Sequence, residues 1–191
     1  SKIPDALNCL VIPTPKEKFS AYVLFQIDQF LMKGKSLAVI VDPLKEVTSD
    51  KTDFQMAGVN FGYLPLESGL EQLLSHYGVT VHPSIVMDEE CYRQQISREK
   101  GGGDRPIYFA PVIKSRNIDD SPVYMQNIRG MMAVKASPIS LDNERLEANG
   151  LTARSLIRSS EKSWEMKEKI QLNPMMLRPP DPEIERQSFH L

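Results

Sequence analysis

The strongest constraint on the fold lies in the first forty residues. A short apolar run at residues 7–12 is closed by Pro13-Thr14-Pro15, and prolines cannot continue a hydrogen-bonded ladder. Residues 20–33 follow, with Phe19, Tyr22, Val23, Ile27, Phe30 and Leu31 at helical spacing on one stripe. Gly34 comes next, a residue suited to the left-handed conformation that ends many helices. Residues 36–41 form a second apolar run of strand length, ended by Asp42-Pro43. Strand, helix and strand in this order make a βαβ unit, which requires parallel strands and a right-handed crossover. Runs so uniformly apolar predict a sheet covered on both faces.

Further along, residues 45–60 are polar and aperiodic and read as a surface loop. Residues 69–77 read as a second helix, with Leu70, Leu73, Leu74 and Tyr77 inward and Gly78 as its cap. Residues 79–87 read as a third strand region, broken or turned at Pro83. Residues 88–100 are a short helix or an ordered excursion, and Gly101-Gly102-Gly103 marks a flexible loop. Beyond the glycines the character changes. Residues 107–113, 131–136 and 150–159 read as strands with no helical stripe between them, and residues 175–182 as an extended, proline-rich stretch. The first 95 residues are therefore expected to be α/β. The rest would add strands to the same sheet or form a small sheet beside it.

Composition narrows the function classes. With 41% apolar and 25% charged residues, the chain is globular and not disordered. Its 191 residues favour one domain over two. A net charge of −2 gives no basic footprint for nucleic acid. The longest apolar run, residues 37–41, cannot span a bilayer. There is no dinucleotide or Walker-type glycine motif, no Gly-x-Ser-x-Gly elbow, no His-Glu-x-x-His and no Cys-x-x-Cys. His76, His82 and His190 are not spaced as a metal pair. Cys9 is centred in the first apolar run and is expected to be buried. Cys91 follows Asp88-Glu89-Glu90, acids that would raise its thiol pKa. No catalytic residue, metal site or cofactor is expected.

Two places can carry binding. Thr14 and Asp42 end the first two strands, and in open α/β sheets that edge faces the ligand crevice. The alternative for Asp42 is a turn cap in front of Pro43. Trp164, in Ser163-Trp164-Glu165, is either a packing anchor or a recognition residue.

Taken in order, several segments resemble a known family. They are Ile3-Pro4-Asp5-Ala6-Leu7, Leu10-Val11-Ile12-Pro13-Thr14-Pro15, the stretch from Ile27-Asp28-Gln29-Phe30 to Gly34-Lys35, and Leu37-Ala38-Val39-Ile40-Val41-Asp42-Pro43. They continue with Leu70-Glu71-Gln72-Leu73-Leu74-Ser75-His76-Tyr77-Gly78-Val79, Ile85-Val86-Met87-Asp88, Ala136-Ser137-Pro138 and Ser159-Ser160-Glu161-Lys162-Ser163-Trp164. The chain resembles the soluble domain of the Gld-type auxiliary component of ABC transport systems, linked in some bacteria to gliding motility. It departs from that family at Gly34-Lys35, where two glycines are more usual, and at Ser121-Pro122-Val123, where a His-Pro-hydrophobic triplet is more usual.

The resemblance implies a doubly wound, flavodoxin-like or Rossmann-like α/β domain over residues 1–191, with a mostly parallel sheet and additional C-terminal strands. Residues 1–100 would be its βαβ core and residues 101–191 a strand-rich extension. It implies a fragment of a longer membrane-anchored protein, facing the extracytoplasmic (periplasmic) side of a bacterial inner membrane. Its partners would be the ABC permease and ATPase subunits, with a carbohydrate or protein ligand, and no nucleic acid. The expected function is a non-enzymatic auxiliary domain that binds a partner protein, a sugar or another envelope component. The alternative is an amidotransferase- or hydrolase-like enzyme on the same scaffold.

Overall fold

The computed structural model describes residues 2–48, 61–168 and 170–191. In chain order the strands are β1 (Cys9–Pro13), β2 (Ser36–Ile40), β3 (Leu44–Thr48), β4 (Phe61–Pro65), β5 (Val79–Val81), β6 (Ile85–Asp88), β7 (Cys91–Gln95), β8 (Asp104–Lys114), β9 (Gly130–Met132), β10 (Ile139–Leu141) and β11 (Ser163–Met166). The α-helices are α1 (Ala21–Met32), α2 (Leu70–His76) and α3 (Asn143–Ala148). The chain divides into two compact units, each assembled from three separated segments. Unit 1 takes Ser1–Lys45, Leu64–Val81 and Ser140–Ala153; unit 2 takes Glu46–Tyr63, His82–Ile139 and Arg154–Leu191.

Unit 1 contains the βαβ unit that the apolar runs predict. β1 and β2 are parallel neighbours, in register from Cys9 opposite Ser36 to Pro13 opposite Ile40. Ser20 caps α1, its hydroxyl accepting from the Val23 N–H at 3.4 Å. The helix ends where Gly34, at φ +73°, donates its N–H to the Leu31 carbonyl. Leu10, Ile12, Leu37 and Val39 pack towards Val23, Leu24 and Ile27 of α1 and Leu70 of α2.

Among the described residues, only that face of the pair is covered. Val11 is 60% exposed and Ile40 59%, and Cys9 is exposed as well, so the expected two-sided burial and the buried thiol are both corrected. The pleat turns every second residue outward, and an apolar run cannot show whether anything packs on the second face. Tyr22, 56% exposed, likewise leaves the inner stripe and shares the outer side of α1 with Phe25 and Met32.

The remaining helices of unit 1 are short and pinned by polar contacts. At the start of α2 the Glu71 carboxylate accepts from the Ser68 hydroxyl and from the backbone N–H groups of Ser68 and Gly69. Tyr77 donates its hydroxyl to Asp28 of α1 at 2.8 Å. Burial first, and then that carboxylate, pushes the phenol up to about 12. Asp142 caps α3, a helix where none is expected from the sequence, by accepting from the Arg145 N–H.

The large parallel sheet of the expected doubly wound fold is absent among the described residues. β1 and β2 are a parallel couple of two strands; β3–β4, β5–β10 and the antiparallel β6–β11 are separate two-stranded sheets, and β7–β8–β9 is an antiparallel three-stranded one. The correction has a physical cause. A parallel neighbour needs a crossover of about a dozen residues or more, usually helical. Among the described residues, α2 and α3 have 7 and 6 residues, and only α1, with 12, reaches that length.

Unit 2 contains antiparallel pairs instead, some between neighbouring strands and one between distant ones. β6 has the fully buried pattern of a central strand, yet its partner is β11, antiparallel, with Asp88 opposite Ser163 and Ile85 opposite Met166. After β9 the chain continues along β8, where Ala133 and Lys135 donate their N–H groups to Pro111 and Phe109. The next residue, Ala136, accepts from Val86 of β6. Ile113, Ile118 and Met125 anchor an apolar cluster with Ile128, Leu156 and Ile157.

Further expectations for unit 2 are refined. Residues 88–100 supply β7 and a single 3-10 turn at Arg98–Lys100. Residues 150–159 form no strand, only single bridges such as Ile157 to Ile118. Of the expected loop at 45–60, residues 45–48 belong to β3 and residues 49–60 lie outside the described residues. Among the described residues no helix is long and apolar enough to cross a membrane.

Candidate functional site

Thr14 and Asp42 come to the same edge, just past the carboxyl ends of β1 and β2. Thr14 adopts φ +41°, rare for a β-branched residue, and donates its N–H to the Ile40 carbonyl at 2.8 Å. Asp42 accepts from the Leu44 N–H at 3.3 Å, as a turn cap does, and from the Lys16 ammonium at 3.1 Å. That ion pair is largely exposed and contributes about 1 kcal/mol or less.

Trp164 belongs to unit 2, on β11, and is only 5% exposed. Its indole meets the Tyr108 ring edge-on, with centroids 5.3 Å apart. The neighbouring serines explain the motif around it. Asp88 has no solvent exposure, and four donors surround its carboxylate: the Ser160 hydroxyl and N–H, the Ser163 hydroxyl and the Glu90 N–H, at 2.6–2.9 Å. The Ser163 hydroxyl also lies 2.8 Å from the Ser160 carbonyl, and with Asp88 and Ser163 fully enclosed this Ser–Asp cluster is a buried structural hub.

The site that sequence reasoning missed lies in unit 2. A cavity of about 220 Å³ is lined by Glu46 of β3, Tyr63 of β4, Lys135 and the chain at Ile170, Gln171, Leu172 and Asn173. Lys135 organises it. The ammonium donates to the Tyr63 hydroxyl at 2.9 Å and to the Glu46 carboxylate at 3.2 Å. The hydrogen bond to Tyr63 holds the lysine above its ordinary pKa; burial opposes this, and Glu46 reinforces it. The raised pKa and the two hydrogen bonds favour a role for Lys135 as a cation and donor. Its backbone sits at φ +55°, held by the N–H bond to Phe109 and the adjoining bond from Val86 to Ala136. A non-glycine residue there costs on the order of 1 kcal/mol. Among the described residues, Thr14 and Lys135 are the non-glycine positions with positive φ.

The rest of the lining mixes amide and apolar groups. The Gln171 side-chain Oε1 accepts from the Asn173 backbone N–H, and the Asn173 side-chain Oδ1 accepts from the Met175 backbone N–H. These bonds fix the two side chains and leave the Asn173 amide nitrogen as a donor. Ile170 and Leu172 supply apolar surface beside them. No local signal could have found this set. Glu46, Tyr63, Lys135 and Asn173 are individually ordinary residues, and only the fold brings them together.

Other chemistry is weak here. Burial pushes the Cys91 thiol up, the nearby Asp88 charge adds to the shift, and Arg93 offsets only part of it, which disfavours a thiolate. Among the described residues, no group of three His, Cys, Asp or Glu side chains could hold a metal ion. The family described as an ABC-type uncharacterized transport system matches residues 1–191. No curated protein and no solved structure matches the chain.

Proposed function

This chain belongs to the ABC-type uncharacterized transport system family, and on that premise we propose that it is a non-catalytic auxiliary domain whose unit 2 cavity binds a component the transporter handles. The candidate ligands are a sugar, a segment of a partner protein or another envelope component. The likeness to Gld-type components supports an extracytoplasmic position, a membrane anchor elsewhere in the parent protein and a link to gliding motility.

The observation that carries the reading is the Glu46–Lys135–Tyr63 array, held in a strained backbone at the wall of a cavity. Its ionised groups are committed to one another, which suits recognition better than proton transfer. A hydrolase or amidotransferase would need an activated nucleophile beside a base, and the raised Cys91 thiol and the enclosed Ser160–Asp88–Ser163 hub favour neither.

The test is affinity purification of the tagged parent protein from its own membranes after mild cross-linking. The expected result is co-elution of an ABC permease and its ATPase. Recovery of neither subunit would end the auxiliary reading.

A further inference from the structure

We propose that the unit 2 cavity takes a neutral polyhydroxyl ligand: one sugar ring, free or at the end of a glycan. This rests on the reading of the cavity as a binding site and adds the class of molecule it selects. The first argument is charge. Lys135 and Glu46 lie 3.2 Å apart and their charges cancel. An anion such as phosphate would gain from the ammonium but meet the carboxylate, and a cation would meet the reverse. A neutral ligand can bond to both without breaking the pair.

The second argument is the pattern of donors and acceptors. Tyr63 accepts from Lys135, so its own O–H is turned elsewhere as a donor. Among the described residues the ammonium uses two of its three N–H groups, on Tyr63 and Glu46. The Asn173 side-chain oxygen accepts from the Met175 N–H, which orients that amide and leaves its N–H groups as donors. Glu46 offers only acceptors. A donor-only group thus sits beside an acceptor-only group, and a hydroxyl is the ligand group that accepts from one while donating to the other. Neighbouring ring hydroxyls would do this twice. Leu172 and Ile170 add apolar lining, which suits the C–H face of a sugar ring.

The third argument is size. About 220 Å³ falls below the ~300–1,000 Å³ of pockets for drug-sized ligands. One ring is accommodated, and an oligosaccharide could enter only by its end.

The experiment is titration calorimetry on the full chain with D-glucose, D-galactose, N-acetylglucosamine and their methyl glycosides, with inorganic phosphate and glycine as the charged and zwitterionic counter-probes. At least one neutral sugar should bind saturably, with an affinity that changes little from low to high salt. Methyl glycosides that bind as well as the free sugars would point to a glycan end, and loss of binding on methylation to a free sugar. Glu46→Gln and Tyr63→Phe should each weaken that binding by severalfold, as loss of one hydrogen-bond partner at a partly exposed site does. Lys135→Met serves as a second variant should either of these fold poorly. Preference for phosphate or glycine, absence of saturable sugar binding, or unchanged sugar affinity in all folded variants would overturn the proposal. Co-elution of the ABC subunits is a separate readout, so a failed ligand class and a failed auxiliary role remain distinguishable.

Discussion

Asp88 is a fully buried carboxylate whose neighbours are neutral donors rather than a cation. Asparagine is the same shape but carries one acceptor and two donors, so part of the array would face N–H against N–H. Asp88→Asn is expected to cost about 3 kcal/mol or more, and Ser163→Ala about 1–2 kcal/mol, in urea unfolding monitored by fluorescence. The serines and the aspartate both stand in motifs visible in the chain, but their pairing is not legible because more than seventy residues separate them.

The acidic limb of stability is set by other carboxylates. At Glu71 burial would raise the pKa, but the backbone N–H groups of Glu71, Ser68 and Gly69 and the Ser68 hydroxyl outweigh it and the net shift is downward. At Glu90 the Lys114 hydrogen bond lowers the pKa against burial, with help from Arg116. A depressed carboxylate contributes stability above its unfolded pKa and loses it as pH falls through its folded pKa. Urea midpoints should therefore decline as pH drops through and below the ordinary carboxylate range. Glu71→Gln should flatten that decline.

Among the elements, the glycines that end helices are not equivalent. Gly34 and Gly78 both have positive φ. A side chain at Gly34 would meet nothing within 4 Å, whereas one at Gly78 would meet Leu146 at 3.0 Å and the Asp142 carbonyl at 3.2 Å. Gly34→Ala should cost only the left-handed backbone penalty, about 1 kcal/mol. Gly78→Ala adds a clash with α3 and should cost about 2–3 kcal/mol, visible as a clearly larger fall in Tm. The same elements show what could be read in advance. The βαβ unit was legible because helical period, glycine stop and apolar run lengths agree within forty residues. β7 was not, because Tyr92, Arg93, Gln94 and Gln95 all face solvent and carry no apolar alternation. The sheet order was not legible either, since buried strands such as β6 show burial but not the partner. The cavity was invisible for the related reason that its groups come from four distant segments.

At the scale of the molecule, neither unit is a continuous stretch of chain. Residues 1–100 contain the whole βαβ unit but lack Ser140–Ala153, which supplies α3 and the Asp142 N–H bond to the Gly78 carbonyl. They also lack β8, the partner of β7. Expressed alone, residues 1–100 are expected to show helix by circular dichroism but no cooperative thermal transition, whereas the full chain unfolds cooperatively. A sharp calorimetric peak from the fragment would refute this. The interleaving also sets a clock on biosynthesis. A ribosome that has released Val81 must still make about seventy residues before the last segment of unit 1 emerges, roughly 4–14 s at about 5–20 residues per second. The core between α1, Leu70 and the β1–β2 pair can close early, because all of its residues precede Val81. The turn at Gly78 and the end of α2 wait through that interval for Leu146 and for the hydrogen bonds from Asp142 and Arg145, and a chaperone would have this one open end to shield.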